Sequence, residues 1–163
     1  MPVIATLVVG ADGSTTNKGN SAGVTSEIDR SHFLQRRRTA DCIIIGGNTA
    51  RTEPYHRTPV PVVVISRSLI NPLADNRLAH CWNLSPSNAL DKAIAMFGPR
   101  VHIEAGISII NELLLHNRID ELELSITEST GGEDKIDIQE LLNHFTSMSE
   151  TTSQGTRMIS AQR

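Results

Sequence analysis

The sequence predicts an α/β fold built on a mixed, mostly parallel central sheet, with helices on both faces and a C-terminal antiparallel hairpin. Three observations predict it. Short, near-continuous apolar runs alternate with helical segments over the first two thirds of the chain, each run ends in glycine or small polar residues, and the last stretch reads as two strands around one glycine. At 163 residues, 39% hydrophobic and 20% charged, the chain is long enough to bury one core and too short for two ordinary domains. The expectation is a single domain over residues 1–163.

Val3 to Val9 reads as a strand buried on both faces, closed by the turn Gly10-Ala11-Asp12-Gly13. A small, polar loop follows from Ser14 to Gly23. Ser26 with Asp29 resembles a capping box and predicts a helix from about Glu27 to Arg38, with Ile28 and Leu34 inward. Cys42 to Ile45 is a second strand, ending in Gly46-Gly47, with Asn48-Thr49 opening a short helix. Val60 to Ile65 is a third, with Pro59 and Pro61 confined to its start. A weaker extended segment spans about Leu78 to Leu84.

The clearest helix has Ser85 as cap, Pro86 in its first position, Leu90, Ala93, Ile94 and Phe97 on one face, and Gly98-Pro99 as its stop. Val101 to Glu104 is a strand, and Ala105-Gly106 turns it into a helix from about Ile107 to His116 that buries Ile110, Leu113 and Leu114. Glu121 to Thr127 alternates, with Leu122, Leu124 and Ile126 on one face, as a half-exposed strand does. Asp137 caps a short helix through Asn143, and Thr146 to Ala161 forms a hairpin turning near Gly155.

A formal net charge of -3 gives no broad basic surface, so neither nucleic acid nor an acidic membrane is expected as a partner. Cys42 and Cys81 sit in apolar stretches without redox or zinc spacing, which predicts buried reduced thiols. No apolar run approaches the roughly 20 residues that cross a bilayer, and no basic segment leads into an apolar one at the N-terminus. The expected location is cytoplasmic.

Two junctions carry the chemistry. Ile43-Ile44-Ile45-Gly46-Gly47-Asn48-Thr49 and Ile103-Glu104-Ala105-Gly106-Ile107-Ser108 each run from buried strand through glycine into helix. Glycine lets backbone approach a ligand, and unpaired amides at a helix start favour anionic oxygen, so a pyrophosphate suits either site. A glycine that merely turns the chain is the plainer alternative for each. The Gly-x-Gly-x-x-Gly fingerprint of the standard dinucleotide fold is absent. The third strand ends in Ser66-Arg67-Ser68, which suits a ribose 2′-phosphate better than the acid expected for a free 2′-hydroxyl.

Arg36, Arg37 and Arg38 end the first helix, where cations complement its dipole, and one of the three could turn toward the ligand edge. Arg51, His56 and Arg57 add cations after the first glycine pair. His102-Ile103-Glu104 matches the His-x-Glu of zinc nucleobase deaminases, yet the Pro-Cys-x-x-Cys they also need is missing. No histidine pair has ligand spacing, and no Gly-x-Ser-x-Gly elbow is present, so neither a catalytic metal nor a serine nucleophile is expected.

Together Ala11-Asp12-Gly13, Gly23-Val24-Thr25-Ser26 through Arg37, Ala40 to Thr49 with Glu53-Pro54, and Ile103-Glu104-Ala105-Gly106 with Ile119-Asp120-Glu121-Leu122 resemble the reductase domain of the bifunctional riboflavin-biosynthesis deaminase-reductases. The resemblance covers roughly Val3 to Asp137. It implies a dihydrofolate-reductase-like fold, NADPH as hydride donor, a homodimer, and a ribosylamino-pyrimidine phosphate as substrate, namely 5-amino-6-(5-phosphoribosylamino)uracil or a close analogue.

Carried over by position, Thr49, Glu53, Ser66 and the turn from Gly106 through Ile107, Ser108 and Ile109 to Glu112 hold the cofactor, beside Gly46, Gly47 and Arg67. Ser21, Arg37 and Glu104 face the substrate, with His56 or Arg57 near its phosphate. Glu104 and Asp12 are the catalytic candidates; for Asp12 the plainer alternative is a turn carboxylate bonding its own backbone. The lysine common after the family's Asp-Gly is Ser14 here, and Lys18 is the candidate to replace it. The rival readings are a dihydrofolate- or pteridine-type reductase on the same fold, with Asp29 as its carboxylate, and a non-catalytic NADP-binding module.

Overall fold

The computed structural model describes residues 2–19 and 21–163, with the backbone alone for Ser21. Its elements are β1 (Val3–Val9), α1 (Glu27–Arg37), β2 (Cys42–Gly46), α2 (Gly47–Thr52), β3 (Val62–Ile65), β4 (Ala79–Trp82), α3 (Pro86–Phe97), β5 (Val101–Ile103), α4 (Ile107–Leu115), β6 (Glu121–Ile126), α5 (Ile138–Leu142), β7 (Ser147–Ser153) and β8 (Thr156–Gln162). The strands form an eight-stranded sheet in the order β4-β3-β2-β5-β1-β6-β8-β7. Its pairs β1–β5, β5–β2, β2–β3 and β3–β4 are parallel, while β6–β8 and β8–β7 are antiparallel. This is the mixed, mostly parallel sheet that the alternation of apolar runs and helices predicts. The chain divides into two compact units, one comprising the residues up to Ala5 with Arg36–Asp120, the other Thr6–Gln35 with Glu121–Arg163.

In the first unit, β2 is buried on both faces, which is why its sequence is a run of isoleucines rather than an alternation. Ile43 and Ile45 of β2 and Val62 and Val64 of β3 pack with Ala50 of α2 and with Tyr55 and Leu73 from the connecting segments. Side chains alternate along a strand, so Cys42, Ile44 and Val63 point the other way, toward the face that α3 covers. Trp82 of β4 stacks on Phe97 of α3 on that side, and His80 packs against the same ring at a tilt. Burial pushes the Cys42 thiol up to about 12, which leaves it an inert core residue.

Sequence signals for helix ends hold closely here. Ser85 Oγ accepts from the Asn88 amide at 3.3 Å, Pro86 takes the first turn, and Gly98 ends α3. Strand boundaries shift inward. β3 starts at Val62 rather than Val60, because Pro59 and Pro61 have no amide to give a ladder, and the extended segment expected over Leu78 to Leu84 contracts to Ala79–Trp82.

In the second unit, the Asp29 amide donates to Ser26 Oγ at 3.3 Å, the expected cap. Leu34, expected inward, is 42% exposed, while the Asp29 carboxylate is buried and accepts from Thr25 Oγ1 at 2.7 Å. The helical face is set by polar partners as well as by apolar residues. Leu122, Leu124 and Ile126 of β6 are all buried within the chain, which removes this apolar face as a contributor to a dimer contact. The hairpin turns at Gln154-Gly155, both with positive φ, and no helix among the described residues is long and apolar enough to cross a membrane.

Candidate functional site

The C-terminal ends of β2, β3, β4 and β5, all in the first unit, open into a cavity of about 730 Å³. That lies within the range of about 300–1,000 Å³ typical of small-molecule sites, and the carboxyl ends of parallel strands are where open α/β sheets bind ligands. Each strand hands over its lining in the same way. β2 contributes Gly46 and leads to Gly47, Asn48, Thr49 and Arg51; β3 contributes Ile65 and leads to Ser66 and Arg67; β4 leads to Asn83 through Pro86; β5 leads to Gly106, Ser108, Ile109 and Glu112.

Two features of the lining seek anions. Gly106 precedes α4 with extended backbone and no side-chain cap, so the first amides of that helix keep their donors for a ligand, whereas those of α3 are partly satisfied by Ser85. The second feature is the pair of polar groups beside Gly47. A Cβ built on Gly47 would lie 3.1 Å from Ser66 Oγ and 3.2 Å from Arg51 Nη1, so a hydroxyl and a guanidinium pack closely over this glycine. Arg51 and Arg67 are the cations of the lining and Glu112 its acid.

Beside these strand ends in the sequence stands a buried polar cluster. Glu104, the residue after β5, receives the Arg37 guanidinium through Nε at 3.1 Å and Nη2 at 3.0 Å, both to Oε1. The same oxygen accepts from the Tyr55 hydroxyl at 2.6 Å, and the Arg37 guanidinium lies 4.6 Å from the Tyr55 ring centroid. The carboxylate side chain is 2% exposed and that of Arg37 10%. Burial pushes the Glu104 carboxyl up, against the pull of Arg37 and Tyr55 in the other direction. Burial and the neighbouring Glu104 charge push the Tyr55 phenol well above its ordinary value.

The structure therefore gathers Gly46, Gly47, Thr49, Ser66, Arg67, Gly106, Ser108 and Ile109 around one cavity, and pairs Arg37 with Glu104. Glu53 and Ile107 do not line it. Glu53 sits at the C-terminal cap of α2, its amide donating to Thr49 O, and Ile107 begins α4. His56 and Arg57 are exposed and outside the lining, with His56 Nδ1 2.8 Å from Asp75 Oδ1. The Ser21 side chain lies outside the described residues.

In the second unit, Asp12 accepts from the Ser14 hydroxyl at 2.5 Å, the Ser14 amide at 3.2 Å and the Gly131 amide at 2.8 Å. These bonds hold its carboxyl well below the usual range, the Ser14 hydroxyl foremost, so Asp12 stays ionised near neutrality. Gly13 has φ +85, and a Cβ on it would meet Ile136 O at 2.4 Å, which explains the Asp-Gly pair as turn chemistry. Ser14 is fully buried and accepts from the Gly132 amide at 3.1 Å. The lysine beside Asp12 is Lys135, at 3.3 Å, and Lys18 instead gives its backbone amide to Glu133.

Sequence reasoning missed Tyr55, Asn83 and Lys135, and weighed Arg51 only as one cation among several. Tyr55, between Pro54 and His56 in a polar connecting segment, carried no periodic signal that would announce a buried hydroxyl aimed at Glu104. Among the described residues no three His, Cys, Asp or Glu side chains stand close enough to hold a metal ion. Any catalytic activity is expected to survive prolonged dialysis against EDTA. Its loss, with recovery on adding zinc, would contradict this.

A mixed sheet, parallel up to an antiparallel C-terminal hairpin, with its cleft at the parallel strand ends, defines an α/β protein of the dihydrofolate-reductase-like class. Residues 2–148 match the RibD C-terminal domain family, and the chain belongs to that family. No curated protein matches it by sequence. Among solved structures it is similar to a pyrimidine reductase-like protein from Corynebacterium diphtheriae, with a TM-score of 0.73 and 19% identity over 99% of this chain and 91% of that one. A riboflavin biosynthesis protein from Shewanella sp. PV-4 gives a TM-score of 0.72 at 16% identity, covering 100% and 99% of the two chains. The diaminohydroxyphosphoribosylaminopyrimidine deaminase/5-amino-6-(5-phosphoribosylamino)uracil reductase from Thermotoga maritima gives 0.68 at 14% identity, over 99% of this chain and 56% of that one.

Proposed function

We propose that the protein is an NADPH-dependent reductase that acts, as a single domain over residues 1–163, on the ribosyl group of 5-amino-6-(5-phosphoribosylamino)uracil or a close analogue in riboflavin biosynthesis. The observation that carries the reading is the cavity itself, in which the uncapped start of α4 offers amides to a phosphate and Ser66, Arg51 and Arg67 supply further donors on the wall. Membership in the RibD C-terminal domain family and the substrate in the name of the T. maritima deaminase/reductase supply the reaction class.

Gly106, Ile107, Ser108 and Ile109 would hold the pyrophosphate on α4 amides, with Gly46 and Gly47 allowing close approach. Ser66 and Arg67 would hold the ribose 2′-phosphate. Bound there, the cofactor would supply a hydride to C1′ of the ring-opened sugar imine, whose nitrogen would take a proton from water, and the protein contributes position and electrostatics. Arg37 fixes Glu104 through Oε1, and Oε2, which among the described residues accepts the longer 3.3 Å bond from Arg37 Nε, would offer its remaining lone pairs to a sugar hydroxyl. Asp12, held ionised, orients rather than donates a proton. The location proposed is the cytoplasm, and the assembly a homodimer; a monomeric mass by light scattering at micromolar concentration would refute the latter.

The deciding experiment offers NADPH with the deaminated pathway intermediate, its undeaminated precursor and dihydrofolate in parallel, following loss of nicotinamide absorbance. Turnover is expected with the deaminated intermediate. Turnover with dihydrofolate alone would move the assignment to a pteridine-type reductase, and silence with all three despite NADPH binding would make the protein a binding module.

A further inference from the structure

The ends of β1 and β6 lie side by side, with the Thr127 amide donating to Val9 O at 2.9 Å. The loops that leave them, residues 10–18 and 127–136, are tied together along their length. Ala11 gives its amide to Ser129 O at 2.8 Å, Glu133 to Thr16 O at 2.8 Å and Ile136 to Gly13 O at 3.0 Å. The Gly131 amide reaches Asp12 Oδ2 and the Gly132 amide Ser14 Oγ. A Cβ on Gly10 would meet Ser129 O at 2.5 Å, so a larger residue would push the loops apart. They form a braced platform beyond the carboxyl ends of two strands, the side on which α/β sheets bind ligands.

One charged group on this platform has unused donors. Lys135 Nζ lies 3.3 Å from Asp12 Oδ2, and 56% of its side chain is in solvent. An ammonium has three protons, and among the described residues Asp12 is its one partner, which leaves two for a ligand. Asp12 itself is fully engaged. Its Oδ1 takes the Ser14 hydroxyl at 2.5 Å and amide at 3.2 Å, and its Oδ2 takes the Gly131 amide at 2.8 Å beside Lys135. The carboxylate is an anchor for the ammonium.

The surrounding charge selects what that ammonium receives. Asp12, Glu128, Glu133 and Asp134 on the two loops face only Lys18 and Lys135 as cations of the same segments, so a phosphate dianion meets net repulsion. A hydroxyl would need an acceptor as well as a donor, and Asp12 has none to spare. A carbonyl oxygen needs the donor alone.

We infer that Lys135 is a further substrate-binding residue, donating to a carbonyl oxygen of the pyrimidine ring, with Asp12 as the residue that positions its ammonium. The inference rests on the reductase reading given above and gives that reading a contact to the base.

The test follows NADPH oxidation by the full chain with the deaminated intermediate, for wild type, Lys135→Met, Lys135→Arg, Asp12→Asn and Asp12→Asn/Lys135→Met. Lys135→Met is expected to raise KM about tenfold with kcat little changed, the pattern of a contact made equally in ground and transition states. NADPH affinity and the urea midpoint should stay as in wild type, since an exposed ion pair contributes little to stability. Lys135→Arg keeps charge and donors and should recover most of the loss. Asp12→Asn should raise KM alone and add little to Lys135→Met, because the carboxylate acts through the ammonium. As competitors, 5,6-diaminouracil should inhibit the wild type and weaken about tenfold in Lys135→Met, while inhibition by inorganic phosphate should not differ between the two.

An unchanged KM in Lys135→Met would overturn the inference and leave the reductase reading standing. So would a parallel fall in NADPH affinity, a loss of inhibition by inorganic phosphate, no inhibition of the wild type by 5,6-diaminouracil, or a full further loss from Asp12→Asn on top of Lys135→Met. A wild type that does not turn over the deaminated intermediate would instead remove the reading on which the inference rests, and the inference with it.

Discussion

Replacing Glu104 by alanine is expected to destabilise the fold by about 3–5 kcal/mol, the cost of breaking a buried ion pair by removing one partner. The Arg37 guanidinium would keep its charge at a site where only 10% of its side chain reaches water, with no carboxylate to receive Nε and Nη2. The Tyr55 hydroxyl would lose the acceptor it now holds at 2.6 Å. Tyr55→Phe, which removes one hydrogen bond to a charged group and keeps the ring over Arg37, should cost about 1.5–3 kcal/mol. The double variant Arg37→Met/Glu104→Leu should be more stable than Glu104→Ala, because it removes both charges together. Urea unfolding of the four proteins gives the comparison. A Glu104→Ala loss below about 1 kcal/mol would mean that the pair is weak or solvated, against the burial of its carboxylate.

The second large effect concerns the cofactor. Removing Ser66 and Arg67 together is expected to erase most of a ten- to hundredfold preference for NADPH over NADH while NADH binds normally. Ser66 contributes a hydroxyl beside Gly47 and Arg67 a cation on the cavity wall, and Glu112, the lining acid, belongs to α4 rather than to the end of β3. A free 2′-hydroxyl makes little use of either group, so NADH should not register their loss. If the double variant lost both cofactors alike, the end of β3 would be serving the shape of the cavity instead of reading the phosphate.

Much of this architecture was legible in the chain because strong local signals coincide with burial. The isoleucine run of β2, the Ser85-Pro86 start of α3 and the Ser26 cap each combine a backbone requirement with the apolar pattern, and each appears where the sequence places it. Leu34 went the other way because α1 turns Asp29 inward to the nearby Thr25 and Arg37 inward to Glu104, a partner 67 residues distant that no local pattern reveals. The cavity was legible as two glycine junctions, since glycine next to a strand end is a short-range signal. Its side chains were less so. Tyr55 and Lys135 act through contacts with Glu104 and Asp12, 49 and roughly 120 residues away, and Arg51 reaches the cavity wall from one turn along α2.

The resemblance to a deaminase-reductase domain pointed to Ser14 as the departure of greatest consequence. In the structure that position does different work. Ser14 is buried and ties Asp12 to Gly132, while an ammonium still stands by Asp12, drawn from Lys135. A lysine side chain at position 14 would have to displace this hydrogen-bonded turn, so the charge is supplied from a loop distant in sequence.

The central claim is that the cavity at the parallel strand ends takes NADPH as hydride donor, and the most direct test is titration of the wild-type chain with NADPH and NADH under identical conditions. The account predicts saturable binding of both, with NADPH tighter by about ten- to a hundredfold. Equal affinities would contradict the assignment of Ser66 and Arg67 to the 2′-phosphate, and failure to bind either cofactor would contradict the reductase itself.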